Sequence, residues 1–457
     1  MIGSTPVRFT TILVSHLTVT PAHSPPVHSA SATLLRLRRT RARRELDGAR
    51  FARVLLYIIG FYCAVIGPLT ASPTASANDD GANWINQAVW LSLAASAIVV
   101  ALMNPSRVLA SPIIKSHVFL LALTGWFTLS AAWSLSPEAT IRRVGLQVII
   151  MITVAICVVL VREARIIFND ILRLLVLVVV INWLALVLLP PTPIGHAGIY
   201  LSKNNFGTFA ALMVLLGVSR LGAGSLVMRL MALFVTASGF VFLAVSAAKT
   251  SIGLALLVPA LSISVLMFPL FRTRTAVVTA LLGFISLILV VAVMSSFNLT
   301  TDDLFTILFG DPTFTGRTSI WAFVWSYIES RPWLGYGFGG FWSIGTAAPV
   351  MQTGLWWMKD VINQSHNLYL DLLVQGGCVA LVLFLAHIVT LIANSSRLSD
   401  WHWSDKLSVA SILFYSLIYN LMDTTLFRSF NIDWIYFLAC SFLIGLGPLA
   451  VRKEGNR

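Results

Sequence analysis

Arg317 and His366, in the C-terminal third of the chain, have the residue types and setting to act on an anionic substrate. Arg317 stands in Gly316-Arg317-Thr318-Ser319-Ile320-Trp321, after the turn-rich Asp311-Pro312-Thr313. A guanidinium grips phosphate oxygens through two parallel hydrogen bonds. Ile320, Phe323, Val324, Tyr327 and Ile328 recur at helical spacing, which predicts an amphipathic helix over 319–330 that ends near Arg331-Pro332. Arg317 would lie in its first turn, where backbone N–H groups already favour an anion. The competing reading is an exposed loop arginine. His366 opens His366-Asn367-Leu368-Tyr369-Leu370-Asp371, just ahead of an apolar run. Imidazole is neutral or protonated near pH 7, which suits proton transfer. An isolated histidine at such a boundary is more often a hydrogen-bonded structural residue. Asn367 and Tyr369 beside it are candidates for substrate binding.

The elements that must position these residues are membrane helices. The chain has 457 residues, of which 57% are hydrophobic and 11% charged. Soluble domains carry about 25% charged residues, so this composition cannot cover a soluble globule. Apolar runs long enough to cross a bilayer occur at 51–70, 84–103, 117–133, 144–161, 171–190, 206–219, 230–248, 251–271, 275–297, 368–393, 407–423 and 432–450. They predict an all-α polytopic membrane protein with about twelve transmembrane helices, the third and sixth being short. The expected divisions are a disordered cytoplasmic tail over 1–50, nine spans over 51–297, a large extracytoplasmic loop with short helices over 298–367, three spans over 368–450, and a cytoplasmic tail over 451–457. The basic cluster Arg36 to Arg53 places the N-terminus in the cytoplasm, and even parity returns the C-terminus there. The large loop is then extracytoplasmic.

That topology leaves cations on the outer side. Long loops translocate regardless of charge, which accounts for Arg317, Arg331 and Lys359. Arg142, Arg143, Lys203 and Lys249 lie in short loops or at helix ends, and Arg428 joins them. Ionisable groups at membrane depth are costly and usually line a polar cavity. Together they read as an outward-facing basin for an anion; singly, each reads equally well as an interfacial residue on lipid phosphate. Lys203-Asn204-Asn205 and Lys249-Thr250-Ser251 set an ammonium beside amide or hydroxyl groups, suited to an oligophosphate.

Other motifs exclude function classes. Gly335-Tyr336-Gly337-Phe338-Gly339-Gly340 matches the dinucleotide fingerprint in form, but no strand is predicted before it and no βαβ unit surrounds it. It reads as a tight turn folding the loop back on the membrane. Cys63, Cys157, Cys378 and Cys440 all fall in apolar runs without metal-ligand spacing and read as packing residues. No metal or other cofactor is expected. The net charge of +13 is scattered over short loops, so nucleic acid is not expected as a partner.

Gly316-Arg317-Thr318-x-x-Trp321, Pro332-Trp333-Leu334-Gly335-Tyr336-Gly337 and His366-Asn367-x-Tyr369-Leu370 resemble the C-terminal domain of the O-antigen ligase and polysaccharide polymerase superfamily. Trp133-Ser134-x-x-Pro137, Ser202-Lys203-Asn204 and Lys249-Thr250 are similar to weaker signatures of that family, and the resemblance spans about 51–450. It implies transfer of a glycan from an undecaprenyl-diphosphate carrier to an acceptor sugar hydroxyl outside the cytoplasmic membrane, without metal or nucleotide. Arg317 and His366 match the family's essential loop arginine and loop-end histidine. The wording of the motifs leans towards an exopolysaccharide polymerase, with an O-antigen ligase acting on lipid A-core as the alternative and polysaccharide export machinery as a partner. Lys249 stands where other members carry arginine. A transporter of an anion or lipid-linked glycan is the alternative from another class.

Overall fold

In lipid, a backbone must satisfy its own hydrogen bonds, which leaves helices as the form for apolar runs of this length. A computed structural model of the chain describes residues 27–70, 83–267, 316–353, 359 and 362–450. All the apolar runs within them fall on helices. The run at 275–297, most of the loop ahead of Gly316, and Asp79-Asp80 and Asp302-Asp303 lie outside the described residues. The chain forms two compact units, Met1–Arg44 and Glu45–Arg457. In the first, the segment expected to be disordered is helical from Val27 onward; everything below concerns the second.

The helices that matter are α1 (Val27–Phe61), α2 (Trp84–Met103), α3 (Val118–Leu129), α4 (Pro137–Val161), α5 (Ala164–Leu188) and α6 (Lys203–Arg220). They continue with α7 (Leu226–Ser246), α8 (Lys249–Met267), α9 (Arg317–Ser330), α10 (Leu368–Asn394), α11 (Trp403–Tyr419) and α12 (Ile432–Leu446). Among the described residues, 8 helices are long and apolar enough to cross a membrane, or up to 9 if the bent pair Pro105–Ser116 and Val118–Ala132 is one span. This is a multi-pass membrane protein. The sequence count of twelve also includes the run at 275–297, outside the described residues, and two helices short of the others in length or hydropathy: α6 opens on Lys203-Asn204-Asn205 and closes on Arg220, and α11 has only 17 residues. The short third run is the second limb of that pair, bent by 80°.

α12 is the centre of the bundle. All its residues from Ile432 to Leu446 are buried, as expected of a helix that is apolar all round. It packs against α4, α11, α10 and α6. Residues 332–340 do not hang free. Tyr336 N–H donates to Val374 O (2.9 Å), Gly337 N–H to Gln375 O (2.9 Å) and Cys378 N–H to Pro332 O (2.8 Å). The loop thus plugs a break in α10, where Gly377 has φ 68°. A Cβ on Gly377 would collide with the Trp333 carbonyl, and one on Gly335 with the Gln375 backbone. These glycines serve close backbone approach, and no strand precedes them among the described residues.

Candidate functional site

α9 begins where the helical spacing placed it. Gly316 precedes it at φ 80°, a left-handed conformation natural to glycine, and delivers Arg317 as the first helical residue. Ile320, Val324 and Ile328 form its buried stripe, packed with Phe341, Trp342, Ala348 and Val374. One turn beyond Arg317, Trp321 Nε1 donates to Ser365 O (3.0 Å), which ties the helix to the residue before His366.

His366 stands before α10, not on it. Its φ is 53°, a left-handed conformation that costs a non-glycine residue of order 1 kcal/mol or more unless its surroundings enforce it. Here they do. Ser365 Oγ donates to Asn367 O (2.6 Å), and Ser365 N–H donates to Asp371 Oδ1 (3.2 Å). Asn367 Oδ1 accepts the Tyr369 and Leu370 N–H groups, capping α10. Tyr369 Oη donates to Leu417 O (2.9 Å) and Leu368 N–H to Asn420 O (2.9 Å), stapling the start of α10 to the end of α11. The side-chain oxygen of Asn367 and the hydroxyl of Tyr369 thus help to hold His366 in place.

The partner of His366 comes from the loop between α11 and α12. His366 Nδ1 lies 3.3 Å from Asp423 Oδ1. That carboxylate also accepts from Gln364 Nε2 (3.0 Å), the Thr424 N–H (2.8 Å) and Tyr419 Oη (3.1 Å). Burial pushes the Asp423 pKa up, but the hydrogen bond and charge of His366, the Thr424 N–H and the charge of Arg317 outweigh it and leave the carboxyl below its ordinary value. The charge of Arg317 thus acts on Asp423 as well as that of His366, and the Trp321–Ser365 bond keeps the first turn of α9 near His366. An Nδ1–H donated to Asp423 leaves Nε2 as the open, accepting nitrogen, the arrangement of a base oriented by a carboxylate.

Asp371 clamps both sides of this pair. It accepts from Trp342 Nε1 (2.7 Å), from Ser365 N–H beside His366, and from Thr424 Oγ1 (2.7 Å) beside Asp423. Arg428 Nη2 completes the rim by donating to Gln364 Oε1 (3.3 Å) and Asn363 O (3.4 Å).

The remaining cations divide. Arg143 donates to the Gly339, Trp342 (2.8 Å) and Ser343 (2.7 Å) carbonyls, so it gathers the loop that carries Trp342. Arg142, next to it on α4, is half-buried. Lys203 opens α6 with Nζ donating to Ile194 O (3.0 Å), and Lys249 is exposed at the start of α8. These two helix starts lie together, since a Cβ on Gly207 would meet Ala248 and Ser251. Thr208, five residues past Lys203, faces Tyr415 and Tyr419, and Tyr419 bonds Asp423. Lys203 and Lys249 therefore stand at the same end of the bundle as His366, one layer away. A pocket of about 450 Å³ opens in that layer, lined in part by Tyr200, Asn205, Thr208, Phe430 and Asn431.

The sequence reading missed Asp423, Asp371 and Gln364. Asp423 was counted inside the span at 407–423, although α11 ends at Tyr419. A carboxylate at apparent membrane depth is itself a functional signal. Trp133-Ser134-x-x-Pro137 has a local role: Trp133 Nε1 donates to Leu334 O (3.0 Å), and a Cβ on Gly337 or Gly340 would strike Ser134. The motif is the seat of the glycine-rich loop.

No curated protein matches the chain. Residues 208–385 match the family model described as O-Antigen ligase, a region that holds Arg317, His366 and Asp371 but not Asp423. Over that region the chain is similar to the O-antigen ligase family.

Proposed function

We propose that this chain is a polymerase or ligase of a surface polysaccharide that transfers glycan from an undecaprenyl-diphosphate carrier to an acceptor sugar hydroxyl on the outer side of the inner membrane. The observation that carries the reading is the His366–Asp423 pair, with the first turn of α9, which holds Arg317, tied to Ser365, and Arg317 and His366 both lie in the region similar to O-antigen ligase. His366 Nε2 accepts the proton of the attacking hydroxyl, and Asp423 stabilises the resulting imidazolium. The acceptor oxygen bonds to the anomeric carbon while the carbon–oxygen bond to phosphate breaks, and the diphosphate leaves with the electron pair. Arg317 neutralises that departing charge, with Lys203 and Lys249 as point charges further along the oligophosphate. Diphosphate is already a good leaving group, so charge stabilisation outweighs base strength. Arg142 is a further contact for the donor, and both chain termini lie in the cytoplasm. Among acceptors we favour a growing exopolysaccharide, handed on to export machinery, over lipid A-core.

The test is reconstitution. Purified protein in liposomes receives lipid-diphosphate oligosaccharide with either more of the same or a lipid A-core acceptor. Chain growth identifies a polymerase and a single transfer to core a ligase. The 80° bend before Val118 and the break at Gly377 favour one other reading, since broken helices are a transporter trait. Flux of the lipid-linked glycan without a new glycosidic bond would replace the enzyme reading with that one.

A further inference from the structure

Where α1, α5 and α12 meet, a shallow apolar groove is lined by Leu56, Tyr57, Gly60, Leu174, Tyr436 and Ala439, with Asp170 at its edge. Arg53 grips Asp170 through Nε (2.6 Å) and Nη2 (2.9 Å), and Arg173 donates Nη1 to the same carboxylate (2.6 Å). Two guanidinium groups on one carboxylate leave one positive charge over at the contact; Glu163, whose charge also acts on Arg53, makes no ion pair with either arginine among the described residues. Arg53 Nη1 and Arg173 Nε and Nη2 have no hydrogen bond to protein among the described residues. The two arginines are 38% and 45% exposed, against 8% for Asp170, so the surplus charge faces outward. Along the groove, the Tyr436 hydroxyl is buried without a hydrogen-bond partner.

We propose that this groove binds one anionic phospholipid, with its phosphate on Arg53 and Arg173 and an acyl chain against Gly60, Leu174 and Ala439. Three features select that ligand. The slot is apolar and lies within the span Ala164–Leu188, where hydrocarbon is the surrounding solvent. Asp170 is six residues into α5, about 9 Å at 1.5 Å per residue, a depth from which arginine reaches the headgroup layer. Basic pockets between membrane helices suit anionic headgroups, whereas the ammonium of a zwitterionic lipid adds a cation beside two others. A free phosphate would leave the apolar slot unfilled. The proposal does not depend on the reaction assigned above.

Native mass spectrometry of the delipidated full-length protein, titrated with phosphatidylglycerol, phosphatidylethanolamine or inorganic phosphate, tests it. One phosphatidylglycerol should bind about ten-fold more tightly than phosphatidylethanolamine, and phosphate alone should not displace it. The triple variant R53Q/D170N/R173Q keeps the shape, strands no buried charge, and should erase the preference. Should it fail to accumulate, the wild-type competition decides. Equal binding of the two lipids, an unchanged preference in the triple variant, or displacement by phosphate overturns the proposal.

Discussion

Two of the buried carboxylates that face cations in this protein, Asp405 and Asp423, have opposite fates. Arg220 ends α6 and donates Nη1 to Asp405 (2.6 Å) and Ser404 (3.0 Å) at the start of α11. Both side chains are sealed, at 1% and 6% exposed. The guanidinium lies 5.3 Å from the Phe168 ring, and its Nε and Nη2 have no hydrogen-bond partner. At the other pair, Asp423 is 7% exposed but His366 is 26% exposed. The carboxylate is equally dry in both, and only the cationic side differs. A sealed cation can pin two helices but cannot meet a substrate. A half-open imidazole on a buried carboxylate can accept a proton from outside while its orientation is fixed from within.

The contrast breaks first at Arg220. Arg220→Ala strands Asp405 in the bundle, and loss of one partner of a buried pair costs about 3–5 kcal/mol. The variant should melt far lower in detergent or fail to accumulate; an unchanged melting temperature would make the two pairs equivalent. Next comes His366→Ala, which opens no sealed charge, because Asp423 keeps its Gln364, Thr424 and Tyr419 donors. Glycan transfer should fall by about 10²–10⁴-fold while melting stays close to wild type. A matching loss of stability would move His366 to the structural class.

The smallest effect sharpens the comparison through pH. Asp423 has a depressed pKa, so its stabilising contribution is complete above the ordinary carboxylate value of about 3.9 and is lost as pH falls through the lower folded value. Asp423→Asn should lower transfer by about ten-fold and lower the melting temperature by an amount still present at pH 5. That gap should narrow only in stronger acid. A gap that closes near neutral pH would show that Asp423 is not held ionised by His366 and Arg317.

Hydropathy and helical spacing, properties of neighbours in the chain, determined the multi-pass helical class and the amphipathic helix that starts at Arg317. Residue chemistry at the ends of the loop singled out Arg317 and His366, and the lack of a predicted strand before Gly335 removed the nucleotide reading. Tertiary structure alone decided what each polar residue is used for. Asp423 is 57 positions from His366, and only the seating of α10 against α11 brings them together. Arg143 has the same charge as Arg317, yet packing turns it onto three loop carbonyls. Asn367 lies next to His366 but spends its side-chain oxygen on a helix cap. A short-range pattern fixes which residues are helical and apolar. The partner of a polar group depends on which helix packs beside it, a contact between distant parts of the chain that no local spacing encodes.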